Sequence, residues 1–177
     1  MRKIKLYIAA SLNGKIAKTD GSVGWLEEIP NPDKADYGYA NFFRSVDTTL
    51  QGSATYAQVL SWGIEFPYQG TKNYVLTRRQ DVEDNKDVSF IKENHIGFIQ
   101  ELKEQEGKDI WLIGGGQINT LLFNAGLIDE IQLFIMPIVL TGGIEIFEGL
   151  PDEHSLQLIE SKTYASGAVE LKYQVLR

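Results

Sequence analysis

Asp109-Ile-Trp-Leu-Ile113 runs straight into Gly114-Gly115-Gly116, and the chain continues as Gln117-Ile-Asn-Thr-Leu-Leu-Phe-Asn124. The first five residues form a short apolar run of the buried-strand type, and the last eight read as a helix closed by Ala125-Gly126. Glycine at a strand-to-helix junction lets the backbone approach a ligand closely and take conformations closed to other residues. The first N–H groups of the helix are unpaired and lie at the positive end of its dipole, which suits a phosphate. A tight turn alone does not call for three glycines, since each weakens the fold by roughly 0.5–1 kcal/mol where alanine would fit. The triplet is neither G-x-G-x-x-G nor a P-loop, because it is contiguous and no Lys-Ser/Thr follows.

A second junction of this kind lies upstream, where Val46 to Gln51 enters Gly52-Ser53-Ala54-Thr55-Tyr56. Alone it is an ordinary helix start. Together the two junctions supply two helix N-termini able to grip one pyrophosphate from both sides. Leu76-Thr77-Arg78-Arg79 ends another strand and sets two arginines side by side in an acidic chain. Either arginine suits a terminal phosphate, and either also suits plain solvation.

Elsewhere, strands are expected at 3–10, 46–50, 72–77, 88–91 and 130–137, with a further segment at 144–147. Helices are expected at 33–45, with Asp33 as its cap, at 53–60 and at 96–106. Residues 157–164 and 169–176 alternate around Ser166-Gly167 as a C-terminal antiparallel hairpin. Asn13 to Pro32 is long for a connection and reads as a binding loop or an irregular surface loop. Strands alternating with helices, then a hairpin, predict an α/β domain: a mixed, mostly parallel sheet flanked by helices, spanning residues 1–177 as one unit.

Composition narrows the function. A formal net charge of −7, with scattered Lys and Arg, argues against a nucleic-acid partner. The chain has no cysteine, which removes disulfides, thiolate metal sites and a cysteine nucleophile. His95 and His154 are expected at the surface, and no metal site is foreseen. No window is apolar enough for a membrane span, and Ile4 to Leu12 reads as a strand rather than a leader, so a cytoplasmic protein is expected.

Ile8-Ala-Ala-Ser-Leu-Asn-Gly-Lys-Ile-Ala17, Gly52-Ser-Ala-Thr-Tyr56, Val75-Leu-Thr-Arg78 and Leu112-Ile-Gly-Gly-Gly-Gln117 stand in the order and spacing of the dihydrofolate reductase superfamily. The chain resembles most closely the branch represented by the reductase domain of the bacterial riboflavin-pathway deaminase-reductase, a likeness that Asp129-Glu130, Pro137 and Gly142-Gly143 before Phe147 extend over nearly its whole length. The resemblance implies the three-layer dihydrofolate-reductase-like fold, NADPH as cofactor, and hydride transfer to a small heterocycle, pterin-like or ribitylaminopyrimidine-like. It implies that Ala10 and Ile16 border the nicotinamide, and that Gly52, Ser53 and Thr55 hold the pyrophosphate. Leu76, Thr77 and Arg78 would line the adenosine end, the last two beside its 2′-phosphate. Gly114, Gly115, Gly116, Gln117 and Ile118 would wrap the central phosphates, with a cis bond between Gly115 and Gly116. Ile113 would face both cofactor and substrate, with Asn13, Trp25 and Phe42 also lining the substrate pocket. Residues 13–25 would form a mobile loop above it. A homodimer built through the later strands is implied as well.

The chain departs from the pattern in places. Ser53 stands where folate reductases carry Arg, Asn119 where they carry a Tyr near the nicotinamide, and Asn13 where the riboflavin branch carries Asp. The carboxylate that binds a pterin falls at Gly38 or Tyr39, leaving Asp36 as the nearest acid. Asp36 would either hold a heterocycle and assist its protonation, or face solvent in a first helical turn, and the second account is preferred. The alternatives to a reductase of unknown substrate are a nucleotide-binding module that has lost catalysis, a 5-amino-6-ribosylaminouracil phosphate reductase of riboflavin biosynthesis, and a purely structural dimeric domain.

Overall fold

The computed structural model describes residues 1–176. Chain order is β1 (Ile4–Ser11), β2 (Lys15–Ala17), a 3-10 turn (Gly24–Leu26), α1 (Tyr39–Ser45), β3 (Val46–Gly52), α2 (Ser53–Ser61), β4 (Lys72–Leu76) and β5 (Ser89–Ile91). It continues through α3 (His95–Glu104), β6 (Asp109–Gly114), α4 (Gly116–Asn124), β7 (Glu130–Met136), β8 (Ile144–Glu145), β9 (Leu156–Thr163) and β10 (Val169–Val175). Eight strands form one sheet in the order β5-β4-β3-β6-β1-β7-β10-β9. All neighbours from β5 to β7 are parallel, and the terminal hairpin is antiparallel. The expected mixed sheet with its hairpin is what the chain builds.

Each face of the sheet is covered because successive strand residues point to opposite sides. Ile4, Leu6 and Ile8 of β1 pack with Leu50, Leu76, Ile110, Leu112 and Ile131 under Ile99 and Leu102 of α3 and Leu122 and Phe123 of α4. On the other face, Val75 and Trp111 pack with Phe42 of α1 and Val59 of α2. A third cluster gathers Trp25, Phe134, Met136, Leu140 and Ala168.

One connection determines where a ligand can enter. β3 leads through α2 to β4, away from the sheet centre, while its neighbour β6 leads through α4 across β1 to β7. Right-handed crossovers in opposite directions place the two helices on opposite faces, which opens a crevice beyond the carboxyl ends of β3 and β6. The opposite edge of the sheet, where the parallel strands begin, is tied by ion pairs. Arg2 bonds Asp47, Lys103 bonds Asp129, Lys3 meets Glu130 at 2.7 Å and Lys5 meets Asp109 at 2.7 Å.

Three local expectations are corrected. The helix expected over 33–45 begins only at Tyr39. Lys34, Tyr37 and Gly38 take left-handed φ values of 49°, 53° and 78°, and Asn31 clamps both the N–H and the carbonyl of Ala35. Such side-chain bonding competes with helical pairing. Asp33 is therefore no cap. The segment 144–147 is strand only over its first two residues, and these pair with β2, a strand the sequence reading left inside a loop. Neither histidine is a plain surface residue. The His95 Nε2 bridges the carbonyls of Thr77 and Ile91, and the ring of His154 packs edge-on against Phe123.

Candidate functional site at the strand switch point

The two glycine junctions meet in space. Gln51 pairs with Gly114 across β3 and β6, and Gly52 pairs with Leu76 across β3 and β4. The ends of β4, β3, β6 and β1 thus align along the crevice, with the N-termini of α2 and α4 facing it. Their approach is close enough to measure through absent side chains. A Cβ on Gly115 would stand 3.4 Å from the Thr55 hydroxyl of α2, and one on Gly52 only 2.9 Å from Ile118 of α4. Gly116 is hemmed in further, by the Glu145 carbonyl at 2.4 Å and the Glu148 side chain at 2.7 Å from such a Cβ. The peptide bond Gly114–Gly115 is cis, one residue earlier than the expected Gly115–Gly116 bond.

At the β4 end the two arginines separate. Arg79 is bidentate to Asp81, at 3.0 and 2.6 Å, whereas Arg78 is exposed and has no partner among the described residues. Thr77 is buried, and its hydroxyl accepts the Arg79 N–H at 3.1 Å. Ser53 is exposed and Thr55 half-buried at the start of α2.

On the other side of the crevice, Ala10 is buried at the end of β1, and Ile16 and Ile113 are half-buried. Phe42 is stacked on Tyr7 at 4.4 Å and set edge-on to Trp111 at 5.5 Å, so this ring helps fill the space between α1 and the sheet. The 13–25 loop is pinned at both feet. The Asn13 side-chain Oδ1 accepts the Ser11 hydroxyl and the Leu140 N–H, its Nδ2 donates to the Leu140 carbonyl, and Trp25 is wholly buried in the third cluster. Between those feet Gln58 of α2 donates to the Gly21 carbonyl, so the loop reaches from β1 to α2.

Asp36 precedes α1 in the chain. Its carboxylate is exposed and accepts the N–H groups of Gly38 and Ala40 at 2.9 and 3.2 Å, which hold it below the usual carboxylate range. It shapes the entry to α1 and faces solvent, but from outside the helix, which begins only at Tyr39, and not from a first helical turn.

Gln51 escaped notice as a site element, whereas Asn119 already stood out as the residue in place of the superfamily's tyrosine near the nicotinamide. Gln51 is fully buried, and both polar atoms of its amide lack a partner; Asn119 is equally buried and its Oδ1 lacks one. Three of the five such atoms among the described residues therefore lie at the β3/β6 switch point. The only signal for Gln51 was a polar residue closing a strand, and for Asn119 its departure from the superfamily's tyrosine. Among the described residues, no cluster of three metal-ligating side chains occurs and no helix is long and apolar enough to cross a membrane.

A doubly wound sheet whose crevice is walled by two glycine-started helices defines this as a protein of the dihydrofolate-reductase-like fold. The chain belongs to the RibD C-terminal domain family, whose model matches residues 2–169. It is similar to the uncharacterised proteins YwjB and YyaP of Bacillus subtilis. Identity to YwjB is 39% with 97% of each chain covered, and identity to YyaP is 33% with 97% of this chain and 94% of the relative covered. A crystal structure described as a putative riboflavin biosynthesis protein from Shewanella sp. PV-4 superposes with a TM-score of 0.87 at 28% identity, covering 99% of each chain. The diaminohydroxyphosphoribosylaminopyrimidine deaminase/5-amino-6-(5-phosphoribosylamino)uracil reductase of Thermotoga maritima shares the fold, with a TM-score of 0.75 at 16% identity. This chain spans 57% of its length.

Proposed function

We propose that this chain is an NADPH-dependent reductase that transfers a hydride to a small heterocycle, pterin-like or ribitylaminopyrimidine-like. The observation that carries the reading is the close approach of two helix N-termini, Thr55 to Gly115 and Gly52 to Ile118, at the sheet's switch point. That arrangement fits a pyrophosphate, which needs many N–H donors and tolerates no intruding Cβ. NADPH supplies the hydride when bound. The chain's own part is to grip phosphates at Gly52, Ser53, Thr55 and Gly114 to Ile118, to leave Arg78 for the 2′-phosphate, and to border the reacting rings with Ala10, Ile16 and Ile113. The 13–25 loop shields them from water. The Shewanella and Thermotoga relatives support a riboflavin-type pyrimidine as one substrate class. Such a reductase works in the cytoplasm.

Titration with NADPH and NADH, followed by calorimetry and thermal shift, tests the cofactor. Arg78→Ala is expected to weaken NADPH about tenfold while leaving NADH unchanged, the usual size of a charge-assisted phosphate contact. Absence of binding by either nucleotide at millimolar concentration removes the reductase reading. Turnover of NADPH with a panel of pterins and aminopyrimidines then separates a reductase from a binding module without catalysis. The second reading draws its support from Asp36, whose carboxylate is committed to the entry of α1.

The reading includes a homodimer through the hairpin. Edge strand β9 is exposed along its whole length, and Leu158 and Ile159 are each about half exposed. Leu158 stands in register with Tyr173 and, through it, with Ile131. An apolar edge of this kind invites pairing. Leu158→Glu is expected to convert a dimer to a monomer in size-exclusion chromatography with light scattering. A wild-type monomer at micromolar concentration overturns the assignment.

A further inference from the structure

Phe123, in the last turn of α4, and Phe147, just past β8, set their rings 4.8 Å apart, tilted by 41°. Together with Asp152, Glu153 and His154 of the segment that leads to β9, they line a cavity of about 570 Å³, within the size range of small-ligand pockets. The wall is held in place. The Asn124 side chain donates to the Leu150 carbonyl at 3.0 Å and accepts the Asp152 N–H at 2.9 Å, which buttons the segment to the end of α4. The His154 ring stands edge-on to Phe123 at 4.7 Å, and its Nε2 is buried without a partner among the described residues. A polar atom left unpaired in a cavity wall calls for an account. Phe123 lies two helical turns beyond Gly116, about 10 Å along α4 at 1.5 Å per residue, so the cavity is apart from the phosphate cradle.

Charge selects the occupant. Asp152 and Glu153 are exposed and form no ion pair among the described residues, and no Lys or Arg lines the cavity. The last turn of α4 holds no basic residue, so the negative end of its dipole is uncomplemented here as well. Phe147 is half-buried, which leaves part of its ring open, and an aromatic face attracts a cation. An anion would be repelled by all three. We propose that this cavity binds a small organic cation, an arylalkylammonium compound whose ring packs on Phe147 and whose ammonium faces Asp152 and Glu153. No hydrogen bond fixes the His154 ring, and an ammonium carries the N–H donors that an unpaired imidazole nitrogen accepts. The site stands independently of the NADPH reading.

The chain has two histidines, so the imidazole proton resonances of His154, assigned with His154→Gln, report on this cavity while those of His95 serve as an internal control. Titration with benzylammonium is expected to shift the His154 signals and leave those of His95 in place. Benzyl alcohol has a similar shape without the charge, and the wild type is expected to bind it about tenfold more weakly, the combined size of two exposed ion pairs and a cation–π contact. In the double variant Asp152→Asn with Glu153→Gln that preference is expected to fall to about threefold or less, the part left to the ring. The Asp152 N–H bond to Asn124 is made by the backbone and survives the change. Unmoved His154 signals at millimolar benzylammonium overturn the proposal. Equal binding of the alcohol by the wild type also overturns it, because the cavity is then a plain apolar groove, and neither of these results needs the double variant to fold. An undiminished preference in the double variant overturns it too, since the carboxylates then do not read the charge.

Discussion

Gly116→Ala is expected to weaken NADPH binding by at least a hundredfold. The substitution favours the helix locally, since alanine is the better former by about 1 kcal/mol. Space decides against it. The added Cβ would lie 2.4 Å from the Glu145 carbonyl and 2.7 Å from the Glu148 side chain, and the first of these is backbone. Glu148 N–H also bonds the Gly116 carbonyl at 3.3 Å, so the segment crossing α4 has little freedom to retreat. The helix start, the β8 segment or both must shift, and the cradle loses the spacing that admits a phosphate. Calorimetric titration with NADPH gives the affinity, and circular dichroism checks that the fold persists. An affinity within threefold of wild type would show that the phosphates are held elsewhere.

Lys103→Met carries the largest expected effect on stability. The Lys103 side chain is almost wholly buried, pairs with Asp129 and donates to the Leu127 carbonyl at 3.1 Å. Asp129 in turn accepts the Ile4 N–H at 2.8 Å, which joins β1 to the start of β7. Removing Lys103 takes its close, buried cation from the part-buried Asp129 carboxylate, at a cost of roughly 3 kcal/mol. For a domain of this length that corresponds to a fall in Tm of about 10 °C. The double variant Lys103→Met with Asp129→Leu is expected to recover part of the loss, since the carboxylate that Lys103 served is then gone as well, although the Ile4 N–H loses its acceptor. Urea denaturation of the wild type, Lys103→Met, Asp129→Leu and the double variant measures the coupling. A loss under 1 kcal/mol in Lys103→Met would mean that water reaches this edge of the sheet.

The sequence by itself determined most of the secondary structure and both glycine junctions. The apolar run 109–113 and the alternation of 157–164 with 169–176 are contiguous patterns, and for the hairpin alone the pairing follows from the turn that joins its strands. Gly52 and Gly114 to Gly116 are legible for the same reason, because a glycine's conformational freedom belongs to the residue itself. Tertiary structure decided what depends on partners distant in the chain. Arg78 differs from Arg79 only because Asp81 captures the second. Phe42 turned out to be a core ring because Tyr7 and Trp111 enclose it, and Trp25 because Phe134 and Leu140 do. The end of α1 nearest Asp36 was set by left-handed turns and an asparagine clamp rather than by helical periodicity. Gln51 and Asn119 show the limit most clearly: a sequence displays an amide, but only the assembled fold reveals whether its hydrogen bonds are met.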